Sequence, residues 1–398
     1  MPLEVRPVPP GDHEVAHALR VQALSGRHIP YHAERPQPVP GRDVELGAYD
    51  GGRLVATVTA WEFGQWFGRR EVPMGAVTGV AVAPDRRGSG AGGAAMRALL
   101  PAMRELGFAV STLYPSTARF YRGMGWEIAG VWSTAKVKSR SLAEVPPPTD
   151  TTVRPASLDE RETLVAVYDR AAPDHAGWLG RRGAWWDLAA WRARRDEDTP
   201  RHVYVAERAG EPVGFIRYEH TTEDPQAYGL KVEDLVALDR DGIVALLRLL
   251  GSNRTMTATI ELRSGLADPL FHLLPEQDLQ PDFSWRWMTR LLDAPAAIAA
   301  RGYSPSIAAT VPIELVDPLA EWNAGRWTLE VSGGEGKLTP GGDGHVRLTV
   351  GALSTLYTGW TAPRQLAALG LLEGATAADL DQLAAAFAGP LPWCPDFF

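Results

Sequence analysis

A chain of 398 residues is longer than one ordinary hydrophobic core organises, so roughly two to three domains are expected. Its 45% hydrophobic and 22% charged residues exclude a disordered polymer, and a net charge of -8 argues against a nucleic-acid partner. The single cysteine, Cys394, excludes an intrachain disulfide and a cysteine-based metal cluster; with no signal-peptide pattern and no apolar run of bilayer length, a cytoplasmic protein without a membrane partner is expected.

In chain order, Val5-Arg6-Pro7 leads through a polar turn into the helical pattern DHEVAHALRVQAL. Gly51–Phe63 (GGRLVATVTAWEF) reads as a glycine turn and a strand. Thr78–Leu100 (TGVAVAPDRRGSGAGGAAMRALL) reads as strand, glycine-rich turn and helix, with Ser111–Tyr114 the next strand. The proline-rich Ser141–Ser157 reads as an interdomain linker. After it the order repeats: Val153-Arg154-Pro155 precedes SLDERETLVAVYDRAA, and AGEPVGFIRYEH (Ala209–His220) is again a glycine turn and strand. Asp234–Asp239 (DLVALD) then takes the place of GVAVAP, but RDGIVALLRLLGS follows without clustered glycines. Two copies of one αβ unit are predicted, the second lacking the ligand turn. From LLDAPAAIAARGYSP onward, the strand-like PIELVDP, RWTLEVS and HVRLTV and the helical PRQLAALGLL and AADLDQLAAAFA predict an α+β end domain. The expected divisions are 1–145, 146–293 and 294–398.

The glycine turn decides the chemistry. Gly88, Gly90 and Gly93 fit the G-x-G-x-x-G of a dinucleotide site, but Ala83–Arg87 separates the strand from Gly88 and no acidic residue follows at ribose-binding distance. A P-loop fails too, because no Gly-Lys-Ser/Thr is present. The other parse is R-x-x-G-x-G from Arg87 to Gly92, opening a helix. Glycines let backbone N–H groups turn inward, the helix N-terminus adds partial positive charge and Arg86 and Arg87 add full charges, so a diphosphate can be cradled. An ordinary glycine-rich turn with an exposed basic pair fits the same residues.

Val80, Val82, Pro84, Arg87, Gly90 and Gly92 occupy every place of V-x-V-x-P-x-x-R-x-x-G-x-G, and the chain thereby resembles the GCN5-related N-acetyltransferases (GNAT). STLYPSTARFYRGMGWEIAG, with Tyr121 ahead of a glycine-rich turn, looks like the Eis (enhanced intracellular survival) branch: tandem GNAT-like domains followed by a sterol-carrier-protein-like α+β domain. The resemblance implies an acetyl-CoA-dependent N-acetyltransferase, with no metal, acting on a primary amine of a small molecule, peptide or lysine, aminoglycoside-like acceptors included. It assigns the coenzyme to Val80, Ala81, Val82, Arg86, Arg87, Gly88, Ser89, Gly90, Ala91, Gly92 and Ser116. It also makes Tyr121 the acid that protonates the leaving thiolate, the carboxylate of the last residue, Phe398, the base, and a homo-oligomer, hexameric in that branch, the expected assembly. The alternative from another class is a non-catalytic ligand- or lipid-binding protein on a degenerate acetyltransferase scaffold.

Two further clusters are candidates. His28, Tyr31, His32 and Glu34 fall where GNAT proteins build the acceptor pocket. Trp178, Trp185, Trp186 and Trp191 alternate with arginines, and their spacing predicts core or subunit packing rather than nucleic-acid stacking. The segment PLPWCPDFF, with three aromatic rings and three prolines, predicts a docked rather than a frayed tail.

Overall fold

The computed structural model describes residues 3–25, 29–31, 44–157, 160–181, 185–186, 201–224 and 227–398. The first copy runs β1 (Glu4–Pro7), α1 (His13–Leu24), β2 (Val44–Asp50), β3 (Arg53–Phe67), β4 (Arg70–Val82), α2 (Ala91–Glu105), β5 (Val110–Leu113), α3 (Ala118–Arg122) and β6 (Glu127–Lys138). In α2 the buried Ala95, Met96, Leu99, Leu100 and Met103 recur every three or four residues, so one face of the helix packs on the sheet. Such Leu and Met burial stabilises by roughly 1.5–3 kcal/mol per side chain.

The second copy comprises α4 (Ser139–Glu144), β7 (Thr151–Ala156), α5 (Arg161–Ala171), β8 (Leu179–Gly180), β9 (Arg201–Arg208), β10 (Glu211–Asp224), β11 (Ala227–Ala237), α6 (Arg240–Gly251), β12 (Thr259–Arg263) and β13 (Leu279–Leu291). The copies share one sheet of thirteen strands, ordered β1-β2-β3-β4-β5-β13-β6-β12-β11-β10-β9-β7, with β8 on β3. Strands are interleaved across the seam: β13 lies between β5 and β6, and β6 pairs with β12.

The expected linker is shorter than the prolines suggest. Ser139–Glu144 forms α4, whose Ala143 carbonyl, with that of Val145, accepts from Arg248 on α6 at 3.1 and 2.6 Å. Thr151–Ala156 pairs with β9 as the sheet's last strand, an edge position where Pro155 is tolerated. Proline signalled irregular backbone, and within Ser141–Ser157 only residues 145–150 and Ser157 lie outside helix and strand.

The end domain contains α7 (Ala294–Ala300), β14 (Ala309–Val316), β15 (Gly325–Ser332), β16 (Glu335–Pro340), β17 (Val346–Thr349), α8 (Val350–Thr358), α9 (Pro363–Ala368), β18 (Leu372–Glu373) and α10 (Ala377–Ala386). Its separate sheet has the order β16-β15-β14-β17-β18. Helix α8 is buried all round, so it carries no amphipathic period, and sequence pattern misses it. A buried guanidinium joins the parts: Arg290 of β13 donates to the Met124 carbonyl at 2.7 Å and to the Asp317 carboxylate at 2.7 and 2.8 Å.

Candidate active site

Strands β4 and β5 run parallel from Met74↔Val110 to Val77↔Leu113 and then part. Strand β5 ends at Leu113, while β4 continues for five residues through Val80, Ala81 and Val82. Its other edge stays on β3, where Ala56 faces Val82 and Thr57 faces Ala81. Between Thr57 and Thr59 the register slips, so Gly79 and Val80 together oppose Val58. Gly79 adopts a left-handed φ of 61°, and its carbonyl accepts from Thr57 Oγ1 at 3.0 Å. A bulge of this kind bends the strand and raises its twist. Beyond Val77 the two strands diverge, and among the described residues the β5-side edge of β4 from Thr78 to Val82 pairs with no strand.

Residues 84–90 connect that edge to α2. Gly88 and Gly90 adopt left-handed φ values of 79° and 87°, which side-chain-bearing residues rarely take. Gly90 is the N-cap of α2 and supplies no side chain, so the first-turn N–H groups of Gly92 and Gly93 have no intrahelical acceptor. Ser89 Oγ approaches the Ala91 N–H only at 3.4 Å. A Cβ on Gly92 would lie 2.9 Å from Val82 Cγ2, so glycine here sets how closely the helix end approaches the strand.

The two arginines separate. Arg86 pairs with Asp50 at 2.9 Å, whereas exposed Arg87 has no ion-pair partner among the described residues. Sequence reading missed Arg97, one turn further along α2, whose Nη1 lies 3.3 Å from where a Cβ of Gly93 would stand. It too is exposed and without an ion pair among the described residues, and its i, i+4 spacing from Gly93 could have revealed it. Val80, Ala81 and Val82 thus lead through residues 86–92 into the start of α2, with Arg86 turned to Asp50, and Ser116 lies exposed in the loop after β5.

Tyr121, on the single turn α3, is 5% exposed, with its ring edge-on to Phe120 and Trp126. Its hydroxyl has no hydrogen-bond partner among the described residues. Burial pushes its pKa up to about 12. The neighbouring Phe120 faces Gly92 (Cζ at 3.8 Å from a would-be Cβ), which places α3 beside the start of α2.

The tail is docked. Trp393 N–H donates to the Ala176 carbonyl at 3.0 Å, Cys394 N–H to Val131 at 2.9 Å, and Val131 N–H to Pro392 at 3.3 Å. Tyr114, the residue after β5, donates to the Asp396 carbonyl at 2.6 Å. The Phe398 ring lies 5.2 Å from Tyr114 and 6.2 Å from Phe63, and Phe397 stacks on Tyr114 at 4.4 Å. The Asp396 side chain is fully buried: Arg181 Nε donates to both its oxygens at 3.0 Å and Trp185 Nε1 to one at 3.2 Å. Arg181 also reaches Asp234 of β11 at 2.7 Å, and Arg217 contacts the second Asp234 oxygen at 2.6 Å. Burial alone would raise the Asp234 pKa, but the guanidinium groups of Arg181, Arg217 and, further off, Arg263 outweigh it and hold the carboxyl well below its ordinary value. The tail is thus tied to both copies, an arrangement that no local pattern announces.

Of the acceptor cluster, His28, His32 and Glu34 lie outside the described residues; Tyr31 is exposed, with the His17 ring 5.6 Å away. Trp178, Trp185 and Trp186 are buried, as the packing expectation requires, and Trp191 lies outside the described residues.

Family models for a GNAT acetyltransferase domain match residues 4–129 and again 177–291, and one for a sterol carrier protein domain matches 294–395. An uncharacterized N-acetyltransferase of Streptomyces avermitilis is 32% identical over 372 residues, covering 89% of this chain and 90% of the relative. The N-acetyltransferase Eis of Mycobacterium tuberculosis is 27% identical over 336 residues, 81% and 79% of the two chains. Among solved structures, a GCN5-related N-acetyltransferase from Anabaena variabilis superimposes over 100% of both chains with a TM-score of 0.91 at 26% identity.

Proposed function

Because the chain belongs to the GCN5-related N-acetyltransferase family, as an Eis-like N-acetyltransferase, we propose that it transfers the acetyl group of acetyl-CoA directly to a primary amine at the β4–β5 opening. The observation that carries this reading is the unpaired end of β4 facing a helix N-terminus capped only by glycine. Those groups fit the co-substrate. Gly92 and Gly93 N–H groups with Arg87 and Arg97 would hold the diphosphate, while Val80, Ala81 and Val82 would bind the extended pantetheine arm by backbone hydrogen bonds. The thioester supplies an activated acetyl carbon and a thiolate leaving group.

Tyr121 O–H then donates its proton to the departing sulfur. A phenol near 12 is a weaker acid than a thiol of pKa about 8.5, a gap of ~5 kcal/mol if the thiolate were in water. The dry surroundings that raise Tyr121 also raise the pKa of a thiol leaving beside it, which narrows that gap. The Phe398 carboxylate, as the last residue of this sequence, accepts the amine proton once attack has made the nitrogen acidic. An ordinary carboxylate, pKa about 3.3–3.7, could not deprotonate a free ammonium beforehand. No covalent enzyme intermediate is required. Cys394, the single cysteine, is buried and its thiol is pushed up by burial, so it is not a thiolate nucleophile.

Acceptors with organic ammonium groups suit this site, because the exposed rings of Phe397, Trp285 and Phe283 form an aromatic shelf beside the tail. Aminoglycosides, peptides and protein lysines are within that class. The proposed division of labour assigns the coenzyme to residues 1–145, a wall of the acceptor site to 146–293 and the tail to 294–398, in a homo-oligomeric assembly. Thiol release from acetyl-CoA, followed with a panel of such amines and mass detection of product, tests the reading. Thiol release without an acetylated amine, or none with any acceptor, refutes it.

A further inference from the structure

The second copy repeats the opening of the first. Strands β11 and β12 run parallel from Leu230↔Ile260 to Val232↔Leu262, after which β11 continues five residues to Ala237 while β12 ends at Arg263. A cavity of about 630 Å³ occupies this divergence, within the roughly 300–1,000 Å³ typical of small-molecule sites. Its walls include Leu235, Leu238, Ile243, Leu270, Trp178 and Trp393.

A diphosphate is excluded. The helix that would receive it, α6, is capped by its own Asp239, whose carboxylate accepts from the Gly242 N–H at 2.9 Å. That side chain fills the place Gly90 leaves open in the first copy and adds negative charge.

The charges that remain select a different ligand. Asp239 also pairs with Arg208 and Asp174 with Arg69, while Asp268, with no ion pair among the described residues, accepts from Ser264 Oγ and the Leu270 N–H at 2.8 and 3.0 Å and is pushed by burial above its ordinary carboxyl range, toward the neutral form. Arg240 pairs with Asp241. Arg263 lines the cavity with no ion pair among the described residues, and its Nε is buried without a hydrogen-bond partner. Nearby Asp234 is hydrogen-bonded by Arg181 and Arg217, and the Arg263 charge acts on it only from a distance. His175, stacked on Trp178 at 3.9 Å, is kept neutral by burial, its pKa lowered to about 4, and can donate one further N–H. Arg263 as a whole is half-buried, but a buried guanidinium N–H left without an acceptor is costly, and a carboxylate oxygen that reaches it supplies the missing hydrogen bond.

We propose that this cavity is a second ligand site, separate from the acetyl-transfer opening, that takes an organic monocarboxylate with an apolar body, its carboxylate on Arg263 and its chain among Leu235, Leu238 and Ile243. Pro390, Leu391 and Trp393 form part of the lining, so an occupant contacts the segment that leads to Phe398.

Calorimetric titration of the full chain with decanoate and, separately, decanol tests the assignment. Decanoate is expected to saturate at one per chain, equally well with excess coenzyme A present, and Arg263→Gln to weaken it about tenfold or more while leaving decanol unchanged. Ile243→Trp, its folding verified by thermal melting, is expected to abolish binding of both. Absence of saturable decanoate binding, displacement of decanoate by coenzyme A, or full-strength decanoate binding in either variant would overturn the proposal.

Discussion

The two copies of the αβ unit differ less in architecture than in one connection, eight residues from strand to helix in the first and two in the second. In each, a strand outruns its parallel neighbour, by five residues in the first copy and four in the second, and points at the start of a long helix. In the first copy residues 84–90 lead to Gly90, and the helix start presents free N–H groups. In the second, Leu238 and Asp239 complete the connection, and the Asp239 carboxylate satisfies the helix start internally. Backbone donors are thus available to a ligand in one copy and spent on stability in the other. The lesson is that a cleft made by sheet geometry is not yet a diphosphate site; what caps the adjoining helix decides.

That contrast can be broken most severely at the point where the second copy holds the tail. Asp396→Ala leaves Arg181 with only Asp234, and loss of one partner of a buried pair should destabilise the fold by about 3–5 kcal/mol, read by denaturant unfolding. Unchanged stability would mean that the second copy does not anchor the tail. Next in size, Tyr121→Phe should lower kcat by roughly 10²- to 10³-fold with little change in KM for acetyl-CoA, as removal of a general acid does. Addition of a single glycine after Phe398 moves the carboxylate and should also reduce kcat more than it raises that KM; equal changes in both would argue for damaged coenzyme binding instead.

A smaller effect tests the cap directly. Gly90→Asp gives the first copy the second copy's acidic cap at a backbone φ of 87° and should raise KM for acetyl-CoA about tenfold or more, through charge and blocked N–H groups. Arg87→Gln should weaken coenzyme binding several-fold, by about 1 kcal/mol, and Arg86→Gln less, because Arg86 is occupied by Asp50. A reversal of that order, measured by titration with coenzyme A, would place the wrong arginine at the phosphates. The pH profile provides the last test. A Tyr121 pKa raised to about 12 in the folded protein favours its protonated form, so this contribution to stability is complete below pH ~10 and is lost as pH rises through about 12. Over the same range the phenol remains available as an acid, and an alkaline fall in kcat near pH 10 that vanishes in Tyr121→Phe would contradict it.

Much of this was legible along the chain. Residues 80–92 carry their role in local chemistry: alternating valines make a strand, Pro84 ends it, and glycines at 88 and 90 are needed because the turn visits left-handed φ. Repetition of Val-Arg-Pro at 5–7 and 153–155 announced two copies for the same local reason. The linker was overextended because proline marks backbone that cannot donate, and an edge strand such as β7 has no need of that donor. Helix α8 was invisible because a segment buried on every side has no period to read.

Other features had no local sign. The interleaving of β13 between β5 and β6, the pairing of Arg181 with Asp396 across 215 residues, and the buried Arg263 Nε that has no hydrogen-bond partner among the described residues depend on which surfaces meet after folding. Strand type, turn chemistry and helix starts follow from the few residues around them, since steric limits and capping act over one or two turns of chain. Charge compensation and burial are sums over everything that packs nearby, and only the assembled sheet brings those contributors within range.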